Sequence, residues 1–274
     1  MPELPEVETI RRDLAPQVQG RRVASVEVLW ERSIAVPPAP EFVGRLTGRT
    51  ITGVDRRGKF LLLRLDQNET LAVHLRMTGR LLYRPAGAAP DPHLRVRIVF
   101  EGGDELRFTD QRKFGRLYLL DPSGLDTLFA RLGPEPLDAA AGREQFLALL
   151  RQRRGALKPL LLNQATIAGL GNIYVNESLF RAGLHPLRRA ETLTEEERAR
   201  LYNAVRETLQ AAIAHGGTSI ATFLSALGSS GRNQDYLLVH QRAGQPCPRC
   251  GTPIARIVVA GRGTFFCPRC QPLP

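Results

Sequence analysis

The chain has 274 residues, with 38 Lys or Arg against 27 Asp or Glu and a formal net charge of +11. That length holds two modest domains or one large one, and no apolar run nears the ~18 residues of a membrane span. The charge favours a polyanionic partner, nucleic acid ahead of an anionic membrane surface, with solubility alone as the plain alternative. Only three of the 38 basic residues are lysine: Lys59, Lys113 and Lys158. Biased base composition in the gene explains an arginine excess. An ammonium can give up its proton and a guanidinium effectively cannot, so the three lysines are candidates for chemistry.

The opening "MPELPEVE" lacks the basic-then-apolar pattern of a secretory signal. Removal of Met1 ahead of the small Pro2 would leave a secondary amine at the chain start, with Glu3 beside it. Val7, Ile10 and Leu14 recur at helical spacing, predicting a helix with Pro5 in its first turn and its end near Pro16. From Arg22 to about Leu120 the runs "RVASVEVLW", "TITGVDRRGKFLLLRL", "TLAVHLRMTGRLLYR", "LRVRIVFEGG", "ELRFTD" and "GRLYLL" are divided by Gly, Pro, Asn and Asp. They predict an antiparallel sandwich or barrel. "RLGPEPLDAAAG" reads as a connector into helical sequence. There Thr194 and Glu197 form a capping box, Leu201, Val205, Leu209 and Ile213 an apolar stripe, and Gly216 a stop. Residues 217–236 are Gly/Ser-rich and weakly periodic, so part of them reads as a mobile loop. No internal repeat is visible.

Two motifs carry chemistry. Cys247, Cys250, Cys267 and Cys270 form two "CPRC" pairs around a sixteen-residue gap. This spacing fits a tetrahedral four-thiolate zinc site, structural because no ligand position is left open; two disulfides in a secreted domain are the alternative. Between the pairs, "ARIVVAGRGTFF" reads as strand, turn and strand with Arg262 at the tip. The second motif, "LKPLLLNQATIAGLGNIYVNESLFRAG", reads as helix, glycine-bearing turn and helix. The second helix would present free N–H groups to a phosphate. Alone that signal is weak, and beside a basic finger it points to nucleic acid.

The segments "PELPEVET", "RRGKFLLL", "HLRMTG", "DQRKFG", "LNQATIAGLGNIYVNESLF" and the terminal CxxC pairs occur in this order along nearly the whole chain. Together they resemble the formamidopyrimidine-DNA glycosylase family, which also contains endonuclease VIII. "PELPEVE" and "DQRKFG" favour its oxidised-purine branch. The resemblance implies an α+β fold in three parts. Residues 1–133 would form an antiparallel β-sandwich with an N-terminal helix, 134–236 a helix–two-turn–helix domain with a base-capping loop, and 237–274 a β-hairpin finger with one structural Zn²⁺. It implies a monomer in the bacterial cytoplasm with no membrane role. The partner would be double-stranded DNA holding oxidised purines or abasic sites, lying across a basic cleft between the halves.

The implied activity is that of a DNA glycosylase and abasic-site lyase of base excision repair. Pro2 would attack the sugar C1′, expel the base and leave an iminium, after which β- and δ-elimination cut the strand. Glu3 would move protons at the ring oxygen. Lys59, matching the family's strand lysine, would assist catalysis and touch the phosphate beside the lesion; an edge-strand charge is the plain alternative. Asn172 and Arg262 would grip the lesion's phosphates, Arg262 counting with the catalytic set. Lys158 would lie near the damaged site. His74 and His93 would contact the DNA backbone, or are structural histidines. Glu6 would line the base pocket, or is a helix first-turn acid. Met77, Arg112 and Phe114 would fill the gap left by a flipped nucleotide, with excision of 8-oxoguanine and formamidopyrimidines opposite cytosine. An endonuclease VIII-like specificity for oxidised pyrimidines is the sibling alternative. A non-enzymatic zinc-ribbon binding protein would leave Pro2 and Glu3 unused, and a tautomerase-type use of an N-terminal proline needs neither finger nor charge.

Overall fold

Helix α1 (Leu4–Val18) buries Leu4, Val7, Ile10, Leu14 and Val18 along one stripe. It runs two residues past the expected stop at Pro16. In the last turn the proline ring removes only one main-chain hydrogen bond, Gln19 N–H still reaches Ala15 O at 3.2 Å, and Val18 is buried. The computed structural model describes residues 1–138, 141–220 and 223–273.

After α1 come β1 (Val23–Val28), β2 (Ile34–Val36), α2 (Ala39–Leu46), β3 (Ile51–Arg57), β4 (Phe60–Leu65), β5 (Thr70–His74), β6 (Gly79–Arg84), β7 (Leu94–Phe100), β8 (Glu105–Asp110), β9 (Arg116–Leu120) and α3 (Pro122–Phe129). One sheet has the order β1-β7-β8-β6 and the other β2-β9-β5-β4-β3, with only the β2–β9 pair parallel. Side chains alternate between faces along each strand. Val96, Ile98, Leu106 and Phe108 of the first sheet therefore share a core with Leu61, Leu63, Leu71, Val73, Leu117 and Leu119 of the second, and α1 packs on it. The expected sandwich is present. Helix α3 covers the outer face of the second sheet through Leu125 against Leu62 and Ala72. Neither α2 nor α3 was legible in the sequence. Each has eight residues with a proline in its first two positions, too short for a period to stand out.

The remaining elements are α4 (Ala141–Gln152), α5 (Leu157–Leu162), α6 (Asn172–Ala182), α7 (Glu195–Ala214), β10 (Ala255–Val259) and β11 (Arg262–Phe266). The expected capping box starts α7: Thr194 N–H donates to Glu197 Oε2 at 2.9 Å and Glu197 N–H to Thr194 Oγ1 at 3.1 Å. Leu201, Val205 and Leu209 are fully buried, and Gly216 ends the run at φ +73°.

By contacts the chain forms two compact units, Met1–Ala130 with His215–Arg232, and Arg131–Ala214 with Asn233–Pro274. Residues 215–232, grouped by sequence with the helices, pack on the sandwich. Tyr83 N–H donates to Ala226 O at 2.9 Å and Thr218 N–H to Glu6 Oε1 at 2.7 Å. Residues 221–222 of the expected capping loop lie outside the described residues. In the second unit Phe180 and Val239 share a core with Cys247, Ile254, Phe265 and Cys267, so the finger and α6 fold as one body. Among the described residues no helix is long and apolar enough to cross a membrane.

Candidate active site and nucleic-acid interface

Pro2, Glu3 and Glu6 are all buried at the start of α1. Glu6 Oε2 accepts from Glu3 N–H at 2.8 Å, one arm of a capping box, while its Oε1 accepts from Thr218. Gly217 beside it has φ +80°, and a Cβ there would come within 3.1 Å of the Glu6 side chain. Glu6 thus joins the helix start to the 215–232 segment. Two residues on, burial would raise the Glu8 carboxyl, but hydrogen bonds from Arg11 and Arg12 outweigh it and hold the pKa at about 2. Arg56 also meets Glu8, at 3.3 Å, and donates to Gly58 O at 3.1 Å. This link ties α1 to the β3–β4 hairpin. Its turn is Gly58 (φ +56°) and Lys59, so Lys59 sits at the turn rather than within a strand. Lys59 is nevertheless only 6% exposed, unlike a solvated edge charge.

His74 lies opposite Phe60 in the register, with ring centroids 4.6 Å apart. Arg76 N–H donates to its Nδ1 at 3.1 Å, which puts the ring hydrogen of the neutral imidazole on Nε2. Burial, and then the charges of Arg76 and Lys59, lower its pKa to about 3. His93 by contrast is exposed, at φ +59°.

Met77, Arg112 and Phe114 are exposed on two neighbouring turns, β5–β6 and β8–β9. The Arg112 guanidinium lies 4.9 Å from the Phe114 ring centroid.

In the second unit, Gly169 (φ +91°) turns the chain before Gly171 caps α6 at Asn172. Asn172 Nδ2 donates to Gly263 O at 3.1 Å, next to Arg262 on the finger. Ala260 and Gly261, both at positive φ, make the tight turn that leaves Arg262 exposed at the tip. Lys158 is fully buried. Its ammonium donates to Asn176 Oδ1 and reaches Gly263 O at 3.5 Å, so it sits beneath the finger tip rather than at the surface. Asn176 Nδ2 meets His240 Nδ1 at 2.7 Å, and burial, then the Lys158 charge, lowers His240 to about 4. Glu177 accepts the N–H groups of Leu238, Val239 and His240 at 2.8, 3.0 and 2.8 Å. The "NES" run in α6 therefore holds the segment leading to the finger.

These histidines set an acid limit on stability. Unfolded, each titrates near 6.5; folded, they titrate at about 3 and about 4. Stability is therefore full above pH 6.5 and falls as pH drops toward those values, by up to about 1.4 kcal/mol per pH unit for each. Glu8 enters only below its unfolded pKa of 4.5. Urea midpoints should drop between pH 7 and pH 5, with a shallower drop in His240→Gln. Identical midpoints would mean that both imidazoles titrate normally in the folded chain.

The four cysteine sulfurs lie within 4.8 Å of one another, with Cys247–Cys270 at 3.9 Å and Cys250–Cys267 at 3.5 Å. A disulfide needs ~2.05 Å, whereas tetrahedral Zn–S bonds of ~2.3 Å put sulfurs ~3.8 Å apart. Burial and neighbouring thiols push Cys270 up to about 12, while hydrogen bonds with Thr252 bring Cys250 down to about 6. A central dication removes that conflict by favouring all four thiolates. The set fits one structural Zn²⁺. Arg249 docks this knuckle on α6, stacking 4.5 Å from the Phe180 ring centroid and donating to Phe180 O and Arg181 O at 3.0 and 3.1 Å.

Three family models match in order: the formamidopyrimidine-DNA glycosylase N-terminal domain over residues 1–117, the H2TH domain of the same enzyme over 132–224, and the zinc finger found in FPG and IleRS over 244–273. The chain belongs to the formamidopyrimidine-DNA glycosylase family. A formamidopyrimidine-DNA glycosylase of Chloroflexus aggregans is 49% identical over 274 residues, covering 100% of this chain and 99% of that one. A Lactococcus lactis FPG mutant in complex with Fapy-dG DNA superposes with a TM-score of 0.92 at 39% identity, covering 99% of this chain and 100% of that one. MutM in complex with carbocyclic 8-oxo-G DNA gives 0.91 at 38% identity, covering 99% and 100%.

Within the family frame, the first unit carries Pro2, Glu3, Glu6, Lys59, His74, His93, Met77, Arg112 and Phe114. The second carries Lys158, Asn172, Arg262 and the cysteines. Sequence reasoning passed over Asn176, Glu177 and Asp110. The available signal was the polar run Asn176–Ser178, set between the apolar Tyr174–Val175 and Leu179–Phe180 of one helix.

Proposed function

We propose that the protein is a bifunctional DNA glycosylase and abasic-site lyase that excises 8-oxoguanine and formamidopyrimidines opposite cytosine. The observation that carries this reading is the burial of the Pro2–Glu3 pair at the positive end of α1. With Met1 removed, burial and the helix dipole both disfavour protonation of the Pro2 amine, leaving its lone pair free for attack. A bond forms to C1′ and the glycosidic bond breaks, its electron pair leaving with the base, which takes up the proton shed by the Pro2 nitrogen. Glu3 supplies a proton to the ring oxygen as the sugar opens to the iminium. That cation acidifies the C2′–H; loss of this proton expels the 3′ phosphate, and a second elimination expels the 5′ phosphate. Lys59 and the Nε2–H of neutral His74 suit the phosphate beside the lesion. Asn172, the start of α6 and Arg262 suit its neighbours.

Partner choice follows from Arg112. A guanidinium only donates hydrogen bonds, and the Watson–Crick edge of cytosine offers two acceptors against one on adenine. A panel of single-lesion duplexes tests the whole reading. The 8-oxoguanine and formamidopyrimidine pairs with cytosine should be cut fastest, and 8-oxoguanine opposite adenine at least about tenfold more slowly. Faster cutting of oxidised pyrimidines would favour the sibling specificity, and equal cutting opposite cytosine and adenine would remove the role given to Arg112.

A further inference from the structure

Asp110 ends β8 with 1% of its surface exposed. A carboxylate buried so deeply is costly unless its oxygens are satisfied. Its Oδ1 accepts from the Thr78 hydroxyl and from Arg112 N–H at 3.2 Å, and its Oδ2 from Gly115 N–H at 2.7 Å. Thr78 Oγ1 shares the Arg112 N–H, at 3.1 Å. One carboxylate therefore spans both turns that display the exposed trio, Met77–Thr78 on one and Arg112–Gly115 on the other.

The backbone between is held in a form it would not choose alone. Lys113 has φ +62°, a cost for a non-glycine residue that surrounding contacts must offset. Outside, its ammonium lies 4.0 Å from the Trp30 ring centroid. Inside, a Cβ at Gly115 would strike the Phe108 ring and crowd Asp110 Oδ2. With the chain reversed at Lys113, the side chains two residues apart meet, and Arg112 stacks on Phe114. Free, two such exposed side chains would sample many rotamers, and DNA would have to order them on binding.

We propose that Asp110 is a positioning residue: without touching DNA it sets Arg112, Phe114 and Met77 in one register, so that discrimination of the partner base depends on it. The inference rests on the reading of those three side chains as the gap-fillers. The test uses the full zinc-loaded chain as Asp110→Asn, Thr78→Val and Arg112→Ala, on 8-oxoguanine opposite cytosine, 8-oxoguanine opposite adenine, and a preformed abasic site. An asparagine cannot accept at both former oxygens, so Asp110→Asn should lower kcat/KM opposite cytosine by about tenfold or more and the cytosine-to-adenine ratio by at least about threefold, with abasic cleavage changed by less than about threefold. Thr78→Val, which removes only the bridging hydroxyl, should shift the ratio the same way by less. It decides the matter if Asp110→Asn fails to fold. A folded Asp110→Asn chain with the unmodified ratio, or one slowed equally on all three substrates, overturns the inference. An Arg112→Ala chain that keeps the ratio overturns the gap-filling reading and this inference with it. A ratio lost in Arg112→Ala but intact in Asp110→Asn overturns the positioning role alone.

Discussion

A chain that keeps Met1, or carries any N-terminal extension, should form no covalent DNA complex on borohydride reduction, while the processed chain should be trapped at Pro2. In a peptide bond the Pro2 nitrogen is an amide, its lone pair delocalised into the carbonyl and useless for attack. As the first residue it is a secondary amine, held by the start of α1 with Glu3 adjacent. The proposed chemistry demands that switch, so excision and lyase activity should fall together by at least about a thousandfold in the extended chain. DNA affinity should change far less, because Asn172 and Arg262 belong to a different unit. Peptide mapping of the trapped product decides the nucleophile. An adduct on Lys59, the other buried amine of this unit, would displace Pro2 from the role.

Much of this architecture was legible because local chemistry announced it. Thr194 and Glu197 capped α7 as read, and the short β-rich runs divided by turn residues became strands of two packed sheets. The cysteine spacing led to four sulfurs at zinc-binding separations. What stayed hidden were roles that depend on tertiary contacts. Glu6 satisfies a helix start locally, yet its second oxygen is met by Thr218, 212 residues away, and no local pattern encodes that distance. Lys158 was expected near the damaged site, and nothing local shows that α5 turns it inward beneath Gly263. Asp110 reads as one more turn acid in "TDQRKFG" until both turns are seen to converge on it.

Loss of zinc should release the finger while leaving the sandwich intact, the second large effect expected. β10 and β11 form only a two-stranded ribbon, marginal by itself in water. Its inner side chains, Phe265 and fully buried Cys267, reach their core with Phe180 only through the closed knuckle. Chelation or Cys267→Ser should therefore unfold the hairpin and withdraw Gly263 O from Asn172 and Lys158. Arg262 then loses its fixed place, so affinity for an abasic-site analogue should fall at least about tenfold, and the salt slope of binding by about one unit. Arg262→Ala should reproduce the lost unit of slope with one zinc per chain still bound, which separates the contact from the fold that presents it. The chain's single tryptophan, Trp30, belongs to the sandwich unit and gives a direct check on folding there. Its emission should be unchanged in the zinc-free chain at pH 7. Metal analysis finding no zinc in a chain that binds DNA at full strength would defeat the structural role of the metal. A salt slope unaffected by Arg262→Ala would place that side chain away from the phosphates.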